Sequence, residues 1–275
     1  MREIRDAVAV ITGAGSGIGR ALAVDLARRG AKLALADVNS PGLEETRRML
    51  NDATARTYTV DVGKAAAVEQ FARQVQQDFG RASLLVNNAG VALFGTFAEV
   101  SIEDMEWLIQ INFWGVVYGC KFFLPMLERE PDAHIVNVSS IFGLVGPPGQ
   151  TAYASSKFAV RGFSESLREE LRATSSIKMT SVHPAGIATP IAETARSGQK
   201  SDAVARERAK ALFKKVAIIT PEEAARVIVK GILADKKRVM IGADAYRIDW
   251  IARLLPSRAS AMYADALMKR AAERL

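Results

Sequence analysis

Three polar residues within residues 139–157 have the types and spacing that alcohol or ketone chemistry requires. Tyr153 and Lys157 are four residues apart, so on a helix they share one face. An ammonium near a phenol favours the phenolate and lowers the pKa of the tyrosine, which can then act as a general acid or base. Ser140 ends an apolar run, and its hydroxyl could hydrogen-bond the same substrate oxygen. A surface Tyr-Lys pair on an amphipathic helix is the alternative interpretation.

A glycine-rich stretch near the start of the chain predicts a dinucleotide site. Residues 7–12 form a short apolar run that predicts a strand, and residues 20–29 have a helical pattern closed by Gly30. Glycines between them let the backbone approach a pyrophosphate, and the next helix start offers free N–H groups. This stretch comprises Thr12, Gly13, Ala14, Gly15, Ser16, Gly17, Ile18 and Gly19.

Asp37 stands at the end of the second predicted strand, 18 residues after Gly19. This is close to the spacing of about 20 residues that dinucleotide-binding chains show. A carboxylate here can accept hydrogen bonds from the ribose hydroxyls of the adenosine and would repel a 2′-phosphate. The position therefore favours NAD over NADP. A polar strand-end residue or a helix cap is the alternative.

Strands and helices alternate along the whole chain. Strands are predicted at residues 7–12, 32–36, 55–60, 83–86, 133–138, 177–182 and 239–241. Helices are predicted at 20–29, 41–50, 64–79 and 101–127, from the Tyr153 region to about 173, and from 220 onward. This order predicts an α/β fold, a single doubly wound parallel sheet of about seven strands with helices on both faces. Ser101 and Thr220 are the predicted N-caps of two of these helices.

Several further segments follow strands, where parallel sheets bind ligands. They are Asp61-Val62, Asn87-Asn88-Ala89-Gly90, and the loop of residues 183–189. Asn112 lies within the predicted helix 101–127, where an asparagine competes with the backbone for hydrogen bonds. A satisfied amide in the core is the alternative for Asn112.

Together these segments resemble the short-chain dehydrogenase/reductase family in its compact branch, over roughly residues 7–242. The resemblance implies a Rossmann-type fold with NAD as cofactor, reversible hydride transfer between a secondary alcohol and a ketone, and no metal. The matching residues are Thr12, Gly13, Gly17, Gly19, Asp61, Val62, Asn87, Asn88, Ala89, Gly90, Asn112, Ser140, Tyr153 and Lys157.

The resemblance also implies a role for each residue. Tyr153 is the acid/base, Lys157 lowers its pKa and binds the nicotinamide ribose, and Ser140 polarises the substrate oxygen. Asn112 holds a water that relays the proton outward. The cofactor would be bound by Gly13, Ser16, Gly17, Ile18, Gly19, Asp37, Asp61, Val62, Asn88, Ala89, Gly90, Tyr153, Lys157, Pro184, Ile187 and Thr189. Ala185 departs from the usual glycine, and its methyl group is tolerable only with a negative φ.

Residues 1–275 are therefore interpreted as one catalytic domain, with residues 190–219 as a substrate lid and residues 243–275 as a helical extension. A rigid surface hairpin is the alternative for the lid. The extension would pack on the body or on a neighbouring subunit, and attachment to a membrane surface is the alternative. Within the lid, helical pieces at 191–196 and 203–215 would flank a flexible polar break at 197–201. The candidate pocket residues are mostly apolar and favour a hydrophobic alcohol or ketone, and a role in the core of the fold is the alternative for some of them. They are Leu93, Phe94, Ile141, Phe142, Leu144, Val145 and Phe213.

The composition argues against several other classes of protein. The net charge is +7, but the basic residues are scattered and no nucleic-acid motif is present. The single cysteine, Cys120, excludes a disulfide framework and suits a reducing cytoplasm. With two histidines, far apart, a zinc site is not expected. No signal peptide pattern and no apolar run of membrane-spanning length is found.

Two alternative functions are considered. A non-catalytic NAD-binding sensor or scaffold would keep the glycine loop and could lose the four catalytic residues. A sugar epimerase or dehydratase would need a larger substrate domain than this chain allows. The resemblance further implies a homo-oligomer, a dimer or a tetramer, and the apolar face of the helix that carries Tyr153 agrees with this.

Overall fold

The computed structural model describes residues 1, 3–50, 53–198, 207, 211 and 213–272. In chain order its strands are β1 (Val8–Thr12), β2 (Lys32–Asp37), β3 (Ala55–Thr59), β4 (Leu84–Asn87), β5 (Leu93–Phe94), β6 (His134–Val138), β7 (Lys178–Pro184), β8 (Arg196–Ser197) and β9 (Arg238–Ile241). Seven of these described strands form one parallel sheet in the order β3-β2-β1-β4-β6-β7-β9. The predicted doubly wound sheet is confirmed.

The central strands are buried on both faces. All residues of β1, β4 and β6 are buried, which explains their nearly continuous apolar sequences. The strand order reverses between β1 and β4, and a ligand crevice opens at such a point beyond the carboxyl ends of the strands. We call this side the carboxyl edge of the sheet.

Helices cover both faces of the sheet. They are α1 (Gly17–Arg28), α2 (Ser40–Arg48), α3 (Ala65–Phe79), α4 (Ile102–Ile109), α5 (Gly115–Leu127), α6 (Thr151–Thr174), α7 (Pro221–Leu233), α8 (Ala243–Leu254) and α9 (Ala259–Ala272). Helices α1 and α7 pack on one face through residues such as Leu22 and Ile228. Helices α3, α5 and α6 pack on the other through residues such as Phe71, Phe123 and Val160.

Both predicted N-caps are confirmed. The Ser101 hydroxyl accepts from the Asp104 N–H at 3.1 Å, and the Thr220 hydroxyl accepts from the Glu223 N–H at 3.1 Å. Each bond satisfies one of the N–H groups that the first helical turn leaves free. These caps begin α4 and α7.

The predicted continuous helix at 101–127 is interrupted by one wider turn, a π-helical segment at Gln110–Trp114. Asn112 lies in its centre. A π turn inserts one extra residue into a helix and occurs frequently at functional sites. Here the wider turn separates α4 from α5 and places the Asn112 side chain in the interior of the protein.

The predicted helix at 191–196 is wrong. Residues Pro190–Ala192 form a short 3-10 turn, and Arg196–Ser197 forms β8, which pairs with β5. The Arg196 N–H donates to the Ala92 carbonyl at 3.1 Å, and the Gly198 N–H donates to the Phe94 carbonyl at 2.8 Å. These long-range bonds outweigh the local helical preference. The rest of the predicted break and most of the helical piece at 203–215 lie outside the described residues.

Two C-terminal helices, α8 and α9, form the predicted extension. Ala245 and Ile248 of α8 pack against Ile141, Leu144 and Val145, which follow β6. The extension therefore packs on the body of the same chain. Among the described helices, none has the length and apolar character needed to cross a membrane.

Candidate active site

Ser140 lies where β6 leaves the sheet. The Ser139 N–H still bonds to the Val182 carbonyl of β7 at 2.8 Å, and the chain then turns. Ser140 caps the following short turn, Ile141–Gly143, because its Oγ accepts from the Phe142 N–H at 3.1 Å. The hydroxyl hydrogen of Ser140 remains able to donate to a second oxygen.

Tyr153 and Lys157 lie in the first two turns of α6. The Lys157 ammonium is buried, and its Nζ lies 5.6 Å from the centroid of the Tyr153 ring. The same Nζ donates to the Val138 carbonyl at 3.2 Å, at the end of β6. Sheet and helix together bring Ser140, Tyr153 and Lys157 to one site at the carboxyl edge.

Burial governs the acidity of both groups. Burial raises the pKa of Tyr153 to about 12, although a hydrogen bond with Ser140 opposes the rise. Burial also lowers the pKa of Lys157 to about 8, because the charged ammonium loses hydration. The lowering of the Tyr153 pKa that the resemblance assigns to Lys157 stays a prediction.

Asn112 is fully buried and uses both ends of its amide. Its Oδ1 accepts from the Val91 N–H at 2.8 Å. Its Nδ2 donates to the Val91 carbonyl at 3.0 Å and to the Ser156 hydroxyl at 3.2 Å. Asn112 therefore ties the loop after β4 to α6, the helix that carries Tyr153 and Lys157. This is the satisfied amide that the alternative interpretation described, and the water-relay role stays a prediction.

The glycine loop is tied to the loop after β4. The Thr12 hydroxyl accepts from the N–H groups of Asn88 and Ala89, each at 3.1 Å. The Asn88 side chain donates to the carbonyls of Thr12 at 2.9 Å and Gly13 at 3.1 Å. Gly13 has a φ of +66°, and a Cβ at Gly19 would lie 2.1 Å from the Gly13 carbonyl oxygen. Side chains at either position would disrupt this loop.

Asp37 faces the glycine loop from the end of β2. Its carboxylate accepts from the Gly15 N–H at 2.9 Å and from the Asn39 N–H at 2.9 Å. Each carboxylate oxygen has a second lone pair for a ligand hydroxyl. Asp61 lies beyond β3, the neighbouring strand, and accepts from the Gly63 N–H at 3.0 Å. Val62 contacts the start of α5, since a Cβ at Gly115 would lie 3.0 Å from its Cγ2.

The loop after β7 reaches the glycine loop. A Cβ at Gly17 would lie 3.0 Å from Cγ2 of Thr189, so this loop contacts the first turn of α1. Ile187 forms an isolated bridge with Ile219. Ala185 follows Pro184 and is not among the described non-glycine residues with a positive φ, which are Asp6 and Asp235. The alanine is therefore accommodated without backbone strain.

The residues present fit a dinucleotide. Within the described part of the chain, Ser16 makes no side-chain cap to α1, so the first N–H groups of this helix stay available to an anion. A Cβ at Gly90 would lie 3.2 Å from Asn112 Oδ1 and 3.5 Å from Lys157 Nζ, so glycine keeps that space open.

Sequence reasoning missed two residues that organise the site. Arg20 in α1 donates to the Gly15 carbonyl and to the Thr46 hydroxyl at 3.0 Å. Its position one residue after the glycine loop was the available signal. His183 contacts the Ser140 carbonyl at 3.1 Å. His183 directly precedes Pro184 at the end of a predicted strand, but nothing in the sequence indicates that its partner is Ser140.

The chain is similar to known oxidoreductases over nearly its whole length. The family model for short chain dehydrogenases matches residues 7–200. A Mycobacterium tuberculosis protein named "Putative oxidoreductase SadH" is 42% identical over 272 residues, covering 98% of each chain. Human epidermal retinol dehydrogenase 2 is 34% identical over 271 residues, covering 97% of this chain and 84% of the human protein.

A solved structure supports the same relationship. The crystal structure of a short-chain dehydrogenase/reductase from Burkholderia phymatum, in complex with NAD, has a TM-score of 0.85 and 31% sequence identity with this chain. The similarity covers 92% of this chain and 95% of the other.

Proposed function

Because this chain belongs to the short-chain dehydrogenase/reductase family, we propose that it is an NAD-dependent enzyme that interconverts a secondary alcohol and a ketone. The observation that carries the proposal is the placement of Tyr153, whose phenol lies near the Ser140 side chain and whose ring centroid lies 5.6 Å from Lys157 Nζ. These groups lie next to the glycine loop at one edge of the sheet. A substrate oxygen between Ser140 and Tyr153 would be polarised without a metal.

The nicotinamide cofactor would supply the hydride acceptor or donor. The Gly13–Gly19 loop and the start of α1 would bind its pyrophosphate. Lys157 would bind the nicotinamide ribose, and Ile187 and Thr189 would lie near the carboxamide. The NAD in the related Burkholderia phymatum crystal structure supports a nicotinamide cofactor.

We assign the preference for NAD to Asp37. Its carboxylate is held by the Gly15 and Asn39 N–H groups at the end of β2. From there it would accept hydrogen bonds from the adenosine ribose hydroxyls. A 2′-phosphate at the same place would face a fixed negative charge, which disfavours NADP.

Tyr153 would transfer the proton to or from the substrate oxygen. With a pKa of about 12, its phenol is protonated at neutral pH and is suited to donate a proton to a ketone oxygen. Alcohol oxidation needs the phenolate, which forms more readily as the pH rises. The Ser140 hydrogen bond favours the phenolate and supports this second direction.

The surroundings of Tyr153 favour an apolar substrate. The Phe142 ring packs edge-on against Tyr153 with centroids 6.1 Å apart. Ile141, Leu144 and Val145 are buried in the cluster against which Phe142 packs, and Tyr153 packs against a second cluster that contains Leu93. The human relative is named for retinol, an alcohol with a long apolar chain. A hydrophobic alcohol or ketone is therefore the proposed substrate class.

We also propose a homo-oligomer in the cytoplasm. Trp114 and Phe158, each 42% exposed, are apolar side chains near α5 and on α6, the helices that the family resemblance pairs between subunits. Cys120 is the single cysteine of the sequence and a free thiol, which suits a reducing compartment.

A panel of alcohols tests the proposed function in the oxidation direction. Purified protein would be incubated with NAD and each of a series of primary and secondary alcohols of increasing apolar length. Formation of the reduced cofactor would be followed by its absorbance, with Tyr153→Phe as the matched control. Turnover that depends on Tyr153 supports the proposal. Turnover that the Phe variant retains contradicts it.

A further inference from the structure

The main-chain carbonyl of Ser140 has two hydrogen-bond donors. One is the Gly143 N–H at 3.0 Å, which closes the turn after β6. The other is His183 of β7, whose Nδ1 lies 3.1 Å from the same oxygen. The first bond is local to the turn. The second ties Ser140 to the neighbouring strand of the sheet.

The tautomer of His183 follows from its partners. A carbonyl oxygen can only accept, so Nδ1 must carry the hydrogen and donate to Ser140. Nε2 is then an acceptor, and the Ser181 hydroxyl lies 3.2 Å away and can donate to it. Burial lowers the pKa of His183 to about 4, so the ring is neutral near pH 7 and holds this single arrangement.

The rest of the turn is held from other elements. The Arg161 guanidinium of α6 donates to the Gly143 carbonyl at 3.3 Å, and the Ser260 hydroxyl of α9 accepts from the Gly146 N–H at 3.1 Å. Neither bond acts on Ser140 itself. Among the residues that the structure describes, His183 is thus the side chain that connects the Ser140 carbonyl to the sheet.

We propose that His183 is a positioning residue for Ser140. By bonding the Ser140 carbonyl, the imidazole sets the direction in which the Ser140 hydroxyl points toward the substrate oxygen and Tyr153. His183 touches neither substrate nor cofactor in this role. The inference rests on the proposed function, in which Ser140 polarises the substrate oxygen.

The chain offers a matched control in its other histidine. His134 is also fully buried, lies in the adjacent strand β6, and bonds a hydroxyl, that of Thr180, at 2.8 Å. It begins β6, however, whereas Ser140 follows the opposite end of the same strand. Replacement of His134 would perturb a buried histidine of the same sheet without touching the Ser140 turn.

The variants His183→Asn and His183→Leu introduce side chains of nearly equal shape, so their comparison separates the effect of the hydrogen bond from the effect of packing. Asn places an amide nitrogen where His183 has Nδ1 and can donate to the Ser140 carbonyl, whereas Leu cannot. We expect His183→Leu to lower kcat about tenfold, equivalent to about 1.4 kcal/mol of barrier. The NADH affinity of His183→Leu should stay unchanged, and His183→Asn should keep most of the wild-type kcat. The control His134→Leu should lower thermal stability while leaving kcat near wild type.

A double-mutant cycle tests whether His183 acts through Ser140. If it does, adding His183→Leu to Ser140→Ala should change kcat by less than about twofold, because coupled effects do not add. The inference would be overturned if His183→Leu lowered kcat by the same factor in the wild-type and Ser140→Ala backgrounds. It would also be overturned if His134→Leu lowered kcat as much as His183→Leu does. In those cases the proposed function would stand as long as Ser140→Ala and Tyr153→Phe lose turnover, so the two failures are distinguishable.

A crystal structure of His183→Leu supplies a readout that does not depend on activity. The Ser140 hydroxyl should be displaced from Tyr153 or occupy several orientations, and in His183→Asn it should keep its wild-type position. An unchanged Ser140 hydroxyl in the Leu variant would overturn the inference, whatever the substrate of the enzyme proves to be.

Discussion

The Lys157 ammonium lies 5.6 Å from the centre of the Tyr153 ring, and its hydrogen bond goes to the Val138 carbonyl at 3.2 Å. The lysine is thus fixed to the end of β6 rather than bonded to the phenol. Burial of the phenol raises the pKa of Tyr153 to about 12, and the interaction with Ser140 opposes that rise. The resulting protonation state of Tyr153 determines the rates that we expect in each reaction direction.

Tyr153→Phe should remove turnover while NADH binding is kept. The variant lacks only the hydroxyl that exchanges the proton, and acid/base catalysis of this kind contributes about 100-fold or more. Steady-state rates would be measured beside NADH fluorescence titration. Substantial residual turnover in the purified variant would remove Tyr153 from its assigned role.

Alcohol oxidation should accelerate as the pH rises, and ketone reduction should not. The pKa of Tyr153 is raised to about 12, so the phenolate needed for oxidation grows with pH across the range from 7 to 10, whereas the phenol needed for reduction is already present. Rates in both directions at saturating substrate would be compared over this range. Oxidation that is fastest at acidic pH would contradict the assignment of Tyr153 as base.

Measured kcat/KM should favour NAD over NADP at least tenfold, equivalent to about 1.4 kcal/mol. The reason is the Asp37 carboxylate, which would bind ribose hydroxyls and repel a 2′-phosphate. Asp37→Ala should narrow the difference mainly by weakening NAD. A wild-type enzyme that prefers NADP would show that this carboxylate does not select the cofactor.

Acid should destabilise the fold through its two buried histidines. Burial lowers the pKa of His183 to about 4 and of His134 to about 3. Below pH 6.5, about the ordinary pKa of histidine, the unfolded chain binds protons that the native rings do not. The free energy of unfolding therefore decreases as the pH is lowered, by up to about 1.4 kcal/mol per pH unit for each histidine.

Urea unfolding between pH 7 and pH 4 measures this effect. His183→Asn, whose amide does not titrate, should show a shallower fall of the unfolding free energy than the wild type. If the unfolding free energy had the same pH dependence in both proteins, groups other than His183 would cause the acid sensitivity.

The protein should form a homo-oligomer through the exposed apolar side chains of α6 and its neighbourhood. Phe158→Glu should lower the mass found by light scattering at micromolar concentration, because a charge in an apolar interface loses its hydration. Met49→Glu, at the exposed end of α2, is the matched control. A monomeric wild type would refute the prediction.

The order of strands and helices could be read from the chain because it depends on local patterns. The apolar runs of β1, β4 and β6 reflect burial on both faces, and the caps Ser101 and Thr220 act within four residues of their partners. The four-residue spacing of Tyr153 and Lys157 places them on one helix face in any α-helix. Such features need no knowledge of distant segments.

Tertiary contacts decided the features that local sequence patterns do not determine. Residues 191–196 have a helical pattern, yet Arg196 pairs with the strand at 93–94, roughly one hundred residues earlier. The π turn at Asn112 accompanies bonds to Val91 and Ser156, and the pKa of Tyr153 reflects burial that its neighbours in sequence do not determine. His183 faces Ser140 only because β6 and β7 are adjacent. Sequence alone therefore determined the elements and the chemical groups, whereas the folded sheet decided which groups meet and how strongly water is excluded from them.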